Sequence, residues 1–274
     1  MQIVEALNEE QYDETHFTVA ISLPVSLTLR HHSICLYLTE KVENFDEDDV
    51  IPIKQVWKWL FPKRLEKRIN RKFVTGHNCE FYIELQLDFS EDEKELESIQ
   101  KMCQDEYSKR AKNHKKYHMG LVTRVGAEKS LETVPEKLFR QYYQVPPTQP
   151  DTILTRKIVL KHDSMYIAGR YNKYSRELPQ TPWILDGKKV FETSVEELIA
   201  SHLKDRMKID DLKFASSGRE DVDVRMLGRG RPFMFEVCNP RRVHLPREEL
   251  NTIQYMINSS TKDVLVRDLQ IVPK

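Results

Sequence analysis

The stretch Ser216-Ser217-Gly218-Arg219-Glu220-Asp221-Val222-Asp223-Val224-Arg225 places three carboxylates and two guanidiniums within ten residues. It follows a short strand-like run and precedes a Gly-rich turn, Leu227-Gly228-Arg229-Gly230-Arg231. Gly218 permits a tight backbone at the strand end. If the segment is extended, Asp221, Asp223, Arg219 and Arg225 share one face. Taken alone, a cluster of both signs reads as a surface salt-bridge network on a hairpin. A second set, Arg170, Tyr171, Lys173, Tyr174 and Arg176, alternates cations with aromatic rings directly after a strand. Cations meet phosphates and rings stack on splayed bases, which is the chemistry of RNA contact. The plainer reading of that set is a polar loop with two half-buried tyrosines.

The remaining candidate ligands point nowhere in particular. Cys35, Cys79, Cys103 and Cys238 form no C-x-x-C pair, so two ligands on one turn, the usual half-shell of structural zinc, are not available. They read as buried or incidental thiols, and no metal is expected. His114 and His118 have helical i,i+4 spacing without a matching carboxylate or cysteine, and His31-His32 falls in a predicted strand as core or surface histidines. Gly228-Arg229-Gly230 is too short for a dinucleotide fingerprint. Trp183, after Pro182, reads as a core or loop anchor.

These residues need elements to position them. His16 to Val42 alternates apolar and polar side chains and predicts two strands broken near Pro24. Asp48 to Lys72 carries Val56, Trp57, Leu60, Phe61 and Leu65 near the helical period, interrupted at Pro62. Cys79 to Phe89 predicts a strand, and a long helix begins at Ser90-Glu-Asp-Glu93, with Ser90 as its cap, ending in the cations of 109–116. Val145-Pro-Pro-Thr-Gln-Pro150 can be neither helix nor central strand and marks the boundary between regions 1–148 and 151–274. Beyond it, Ile153–Leu160 and Ser164–Tyr171 predict a strand pair. Ser194-Val-Glu-Glu197 is a capping box opening a helix to Met207. Leu212–Ala215, Pro232–Val237 and Val264–Val272 predict strands, and Pro246–Ile257 a helix with proline at its start.

The chain has 274 residues, 39% hydrophobic and 31% charged, a folded composition with a very charged surface. Lysine plus arginine equals aspartate plus glutamate at 43 each. Any nucleic-acid binding must therefore come from local basic patches. The runs Lys63–Lys72 and Lys109–Lys116 read equally as solvated helix faces or as an RNA grip. No apolar run approaches the ~20 residues of a membrane span, and the first residues do not resemble a secretory signal. An intracellular protein, nuclear or cytoplasmic, with no membrane partner is expected.

Gly218-Arg219-Glu220-Asp221 resembles the G-R-x-D motif of pseudouridine synthases. The longer strings narrow this: Ser217 to Arg225, Ala168-Gly-Arg-Tyr-Asn-Lys-Tyr-Ser-Arg176, Leu178-Pro-Gln-Thr-Pro-Trp183, Ser194-Val-Glu-Glu-Leu198, Arg231-Pro-Phe233, Asn239-Pro240, Arg242-Val-His244 and Val266-Arg-Asp-Leu-Gln270. Together they cover 166–271 and resemble the archaeal and eukaryotic tRNA pseudouridine synthases that act on the T-loop, at uridine 55 and in many members uridine 54, the Pus-ten type. Leu23 to Leu38 (LPVSLTLRHHSICLYL) resembles, more loosely, the start of the THUMP-containing region of eukaryotic members.

The resemblance implies a cofactor-free isomerase with tRNA as its partner. Asp221 matches the aspartate that attacks the uridine, at the sugar C1′ or at the base; the glycosidic bond breaks, the uracil turns, and C5 reattaches. Such a carboxylate belongs at the bottom of a dry pocket, held ionised by a cation because burial alone would raise its pKa, with the target base out of the stack. Arg219 matches the arginine that fills the flipped base's space. Arg170, Tyr171, Lys173, Tyr174, Arg176 and Arg225 become RNA-contact candidates; Glu220 and Asp223 have no assigned chemistry. The family's paired C-x-x-C zinc ligands are absent. Its catalytic domain also continues past a strand such as Val264–Val272, with the tyrosine facing C5, the cation pairing with the aspartate and further RNA contacts. The expectation is thus an α+β chain: a partial THUMP-like region, then the first half of a synthase domain on a mixed, mainly antiparallel sheet, inactive or very weak by itself. The alternative is a non-catalytic tRNA-binding protein or adaptor of the same descent.

Overall fold

The computed structural model describes residues 2–76, 79–112 and 122–273; His114, His118 and the end of the 109–116 basic run lie outside the described residues. The elements are α1 (Gln2–Glu10), β1 (His16–Ser22), α2 (Ser26–Lys41), a 3-10 turn (Glu47–Asp49), α3 (Ile53–Ile69), β2 (Lys72–Phe73), β3 (Phe81–Asp88), α4 (Asp92–Met102), α5 (Gln104–Ala111), α6 (Arg124–Thr133) and α7 (Glu136–Tyr142). They continue with β4 (Thr155–His162), β5 (Met165–Lys173), β6 (Ile184–Leu185), β7 (Lys188–Lys189), α8 (Val195–Met207), β8 (Asp211–Ser216), β9 (Met226–Cys238), α9 (Arg247–Ser260) and β10 (Val264–Val272). The protein is α+β. Its sheets run β2-β1-β3-β4, β10-β5-β9-β8 and, as a small hairpin, β6-β7. β1 and β2 are parallel, whereas every neighbour in the β10-β5-β9-β8 sheet is antiparallel.

Two compact units are each assembled from separate stretches. One comprises the chain up to Thr18, Leu65–Ile83 and the chain from Leu160; the other comprises Val19–Arg64 and Glu84–Val159. The first unit's core is a sheet covered by two helices. Phe233, Phe235 and Val237 alternate inward along β9, as the two-residue period requires. Val195, Ile199, Leu203 and Met207 recur at helical spacing on α8, and Leu250, Ile253 and Ile257 on α9. Ser194 caps α8 as expected: its hydroxyl accepts from the Glu197 amide at 3.2 Å and donates to the Glu197 carboxylate at 2.9 Å.

The second unit is a helical cluster around Leu29, Leu96, Ile99, Leu131 and Phe139. Here several expectations give way. Residues 26–41 are the helix α2, not a strand. The polar residues Ser26 and Ser33 are buried beside Leu29 and complete a helical face, so the apparent alternation came from counting them as solvent-facing. The Ser33 hydroxyl is satisfied by the Gln144 carbonyl at 2.6 Å. Ser90 is not the cap of the following helix: its hydroxyl pairs with Thr152 at 3.1 Å. Asp92 instead accepts from the Ser26 amide at 2.8 Å, serving the start of α2, which has no side-chain cap of its own. The long helix divides at Cys103 into α4 and α5, and α3 continues through Pro62. β4 and β5 do not pair; they join different sheets. Gly228 and Gly230 lie within β9, not in a turn, where the β5 register shifts between Tyr171 and Lys173.

Candidate active site

Along β5, residues 167, 169, 171 and 173 face inward, which carries Tyr171 and Lys173 to the end of the sheet under the loop between β8 and β9. Lys173 is fully buried, with 0% exposure. Its ammonium has three donors, and they go to the carbonyls of Leu178 at 2.8 Å, Asp221 at 2.9 Å and Val222 at 2.9 Å. Burial pushes the Lys173 pKa down, against the opposing pull of Glu220, Asp223 and Asp221. A single cation thus ties the loop after β5 to the loop after β8.

A second buried set clamps the start of the 217–225 loop. The Tyr171 hydroxyl donates to Glu220, with its two oxygens at 2.7 and 2.9 Å. Arg231 Nε pairs with Glu220 at 2.7 Å, and Arg231 Nη1 donates to the Ser217 carbonyl at 2.7 Å. Gln180 donates to the Tyr171 oxygen at 2.8 Å and to the Gly218 carbonyl at 3.1 Å. Burial above all, with the Glu220 carboxylate behind it, pushes the Tyr171 phenol up. Gly218 sits at φ +90°, a backbone conformation that favours glycine, and a Cβ there would also come within 2.5 Å of Arg231 Nη1 and push that guanidinium aside.

On this base the loop turns at Val222-Asp223, and the Val224 amide donates to the Asp221 carbonyl at 3.1 Å. Arg219, Asp221, Asp223 and Arg225 are exposed. Among the described residues, no hydrogen bond or ion pair engages the Asp221 carboxylate. The loop is not extended throughout, since it turns at 222–223, but Arg219, Asp221, Asp223 and Arg225 are all exposed while Glu220 between the first two is buried. Asp221 stands at a surface apex rather than at the bottom of a dry pocket, with a buried ammonium beneath its backbone. The arrangement is an exposed carboxylate on a loop whose main chain is bonded to a buried ammonium.

The RNA-contact candidates separate. Tyr171 and Lys173 leave the set, because both are buried and spend their polar atoms on the loop. Tyr174 is 40% exposed, and Arg176 and Arg225 are exposed. Arg170 is half-buried, donates to the Gly230 carbonyl at 3.2 Å, and lines an open depression of about 550 Å³ with Arg247, Gln254 and Asp268. Trp183 is 46% exposed and packs its ring on Phe191 at 5.7 Å, a hairpin anchor and not core. Sequence reasoning gave no role to Gln180, Arg231 or Arg267, although all three lie in the family-like strings. Arg267 reaches the Asn172 side chain at 2.5 Å and the Gly228 carbonyl at 2.8 Å.

Comparison with known families gives two matches. Residues 1–160 match the family model described as eukaryotic Pus10, N-terminal, and residues 166–274 the one described as Pus10, C-terminal. A Xenopus laevis protein named tRNA pseudouridine synthase Pus10 is 37% identical over 98% of this chain and 52% of its own length. The Homo sapiens protein of that name is 35% identical over 100% of this chain and 51% of its own. The Thermofilum pendens protein of that name is 42% identical over 35% of this chain and 21% of its own. The chain spans about half the length of the full-size animal relatives it matches.

Proposed function

The chain belongs to the Pus10 family, whose curated members are named tRNA pseudouridine synthases, and from that premise we propose that it carries the nucleophile of a T-loop uridine isomerisation. Asp221 is the attacking carboxylate and Arg219 the side chain that takes the place of the extruded base. Uridine 55 is the target, with uridine 54 a second one in the same loop. The region 1–148 acts as a THUMP-like RNA-binding accessory and 151–274 as the first part of the catalytic domain.

The observation that carries this reading is the pinning of the Asp221 main chain by a buried ammonium while, among the described residues, no hydrogen bond or ion pair engages its carboxylate. Catalysis by a carboxylate gains from a fixed attack geometry, and an unengaged side chain needs no bond broken before it reacts. Arg219 lies two residues before Asp221, and Arg225 four after it. These guanidiniums suit the phosphates and the vacated stack of an extruded nucleotide. Stacking of the target base over the exposed carboxylate would supply the water exclusion that the protein surface does not.

Isomerisation moves the sugar bond from N1 to C5 and releases the C5 hydrogen. A T-loop RNA tritiated at C5 of its uridines therefore reports the reaction as tritium release. The expected result is salt-dependent binding of that RNA, with whatever release the wild-type chain shows lost in Asp221→Asn while binding persists. Release that survives Asp221→Asn overturns the nucleophile assignment, and binding without salt dependence overturns the RNA reading.

A further inference from the structure

The helix α2 brings together residues that a strand would have separated. His31 and Cys35 are one helical turn apart and share a face. Cys35 Sγ lies 3.9 Å from both ring nitrogens of His31, so a turn of the ring is what would bring one nitrogen to face the sulfur. The turn that follows α2 brings a third donor. Asp46 accepts from the Asp48 amide at 3.0 Å and so fixes the short 3-10 turn that begins at Glu47. One ligand atom from each of His31, Cys35 and Glu47 can be chosen so that all lie within 4.8 Å of one another.

We propose that His31, Cys35 and Glu47 form a three-donor site for a zinc-class divalent cation, with a fourth position open to water or a small ligand. The donor set is an imidazole nitrogen, a thiolate and a carboxylate, a mixture that suits a borderline-soft ion. Around tetrahedral zinc, with bonds of about 2.0 Å to nitrogen and 2.3 Å to sulfur, those two atoms sit roughly 3.5 Å apart. The observed 3.9 Å is close to that separation, and rotation of the exposed His31 ring is the adjustment that aims one nitrogen at the ion. Cys35 is buried and His31 and Glu47 are exposed, so an ion can enter from solvent and meet the thiol last. His31 and Glu47 also line a cleft of about 400 Å³ whose other walls include Leu27, Pro52, Ile53 and Leu131. That cleft is where the fourth ligand goes. Three protein donors beside an open, mainly apolar cleft are the pattern of a reactive or exchangeable zinc site, and not of a closed structural one. The bound ion would also tie the C-terminal flank of α2 to its own helix face. This site uses none of the residues assigned to uridine chemistry and stands or falls apart from it.

The test uses the 274-residue chain, reduced, stripped of metal and titrated with cobalt(II), whose bond to a thiolate gives a charge-transfer absorption that carboxylate or imidazole ligands do not. The expected result is one equivalent bound with that band and displacement of cobalt by zinc. Cys35→Ser should abolish the band, and His31→Ala or Glu47→Gln should weaken zinc binding at least tenfold. Cys79→Ser and Cys238→Ser should leave the band unchanged. Because His31 is exposed, His31→Ala keeps the fold even if Cys35→Ser does not. No thiolate band in the wild type, a band that survives Cys35→Ser, or zinc affinity unchanged in His31→Ala overturns the site.

Discussion

Lys173 Nζ donates to the main-chain carbonyl of Asp221 at 2.9 Å from a fully buried position. The lysine that the sequence pattern offers to a phosphate is therefore the internal support of the loop that presents the carboxylate. Replacing it with the apolar, similarly long side chain of Lys173→Met takes the ammonium from the Leu178 and Val222 carbonyls and leaves the Asp221 carbonyl with the Val224 amide alone. The expected loss is about 3 kcal/mol in urea denaturation, since each unsatisfied buried acceptor costs about 1–3 kcal/mol and the removed ammonium no longer has to be desolvated. A stability change below the scatter of surface substitutions would show that the ammonium does not hold the loop.

Glu220 and Arg231 form the neighbouring buried ion pair, with side-chain exposures of 2% and 14%. Among the described residues, Arg231→Met leaves the buried Glu220 charge with Tyr171 and, at 3.5 Å, Gln180 as its side-chain donors, and a cost of about 3–5 kcal/mol is expected. Glu220→Gln added to Arg231→Met removes the orphaned charge and should restore part of that loss. A double-mutant cycle by denaturation measures the coupling. Strict additivity of the two substitutions would mean that the pair is not coupled.

How far the site could be read from sequence depends on what each residue touches. The capping box at Ser194, the proline that opens the helix after 246 and the strand over 232–237 are local patterns, and each formed as read. The strings around Gly218–Asp221 located the loop. The roles of Tyr171 and Lys173 were not legible, because a cation or tyrosine after a strand looks the same whether it faces solvent or lies beneath a loop. Only the strand's phase against the core decides that. Glu220 has no local signal of burial; its partners, Tyr171 and Arg231, come from two other strands. In the helical unit, Ser33 misled the period because a buried serine satisfied by a distant carbonyl counts as polar. Reading 26–41 as a strand also hid the shared face of His31 and Cys35.

Gly228 and Gly230 separate backbone strain from steric exclusion. Both have positive φ, +65° and +76°. A Cβ at Gly228 meets nothing within 4 Å, whereas at Gly230 it would stand 2.8 Å from the Tyr171 carbonyl oxygen. Gly228→Ala should cost about 1–2 kcal/mol, the penalty of the left-handed conformation. Gly230→Ala should cost about 1–3 kcal/mol more, because the obstructing atom is main chain and cannot swing aside. Equal thermal shifts for the two variants would contradict the close approach.

Glu14 lies among three histidines: His16 Nδ1 at 3.6 Å, His162 Nε2 at 3.7 Å and His244 Nε2 at 3.9 Å. Burial pushes its carboxyl pKa up, but the amides of His16 and Thr15, with His244 and His162 nearby, outweigh that and hold it below the ordinary 4.5. A carboxyl with a depressed folded pKa contributes stability that is fully present above the unfolded value and is lost as pH falls through the folded one. Thermal unfolding of the wild type should therefore steepen its decline below about pH 4.5. Glu14→Gln should flatten that part of the curve, and superimposable curves would contradict the assignment.

The remaining RNA-contact residues can be sorted by salt dependence. Each phosphate contact releases condensed counterions, so its loss lowers the slope of log affinity against log salt by about 1. Arg170→Ala, Arg176→Ala and Arg225→Ala should each weaken binding to a T-loop RNA at low salt and shallow the slope, because their guanidiniums reach solvent or the open depression. Tyr171→Phe removes a buried hydroxyl bonded to Glu220, so it should cost about 1 kcal/mol of folding stability and leave the slope as it is. Fluorescence anisotropy across a salt series reads both outcomes. Arginine variants that keep the wild-type slope would remove the RNA face from this loop. A Tyr171→Phe variant that shallows the slope as they do would mean that the ring is not confined to the buried position the structure gives it, and that the loop opens when RNA binds.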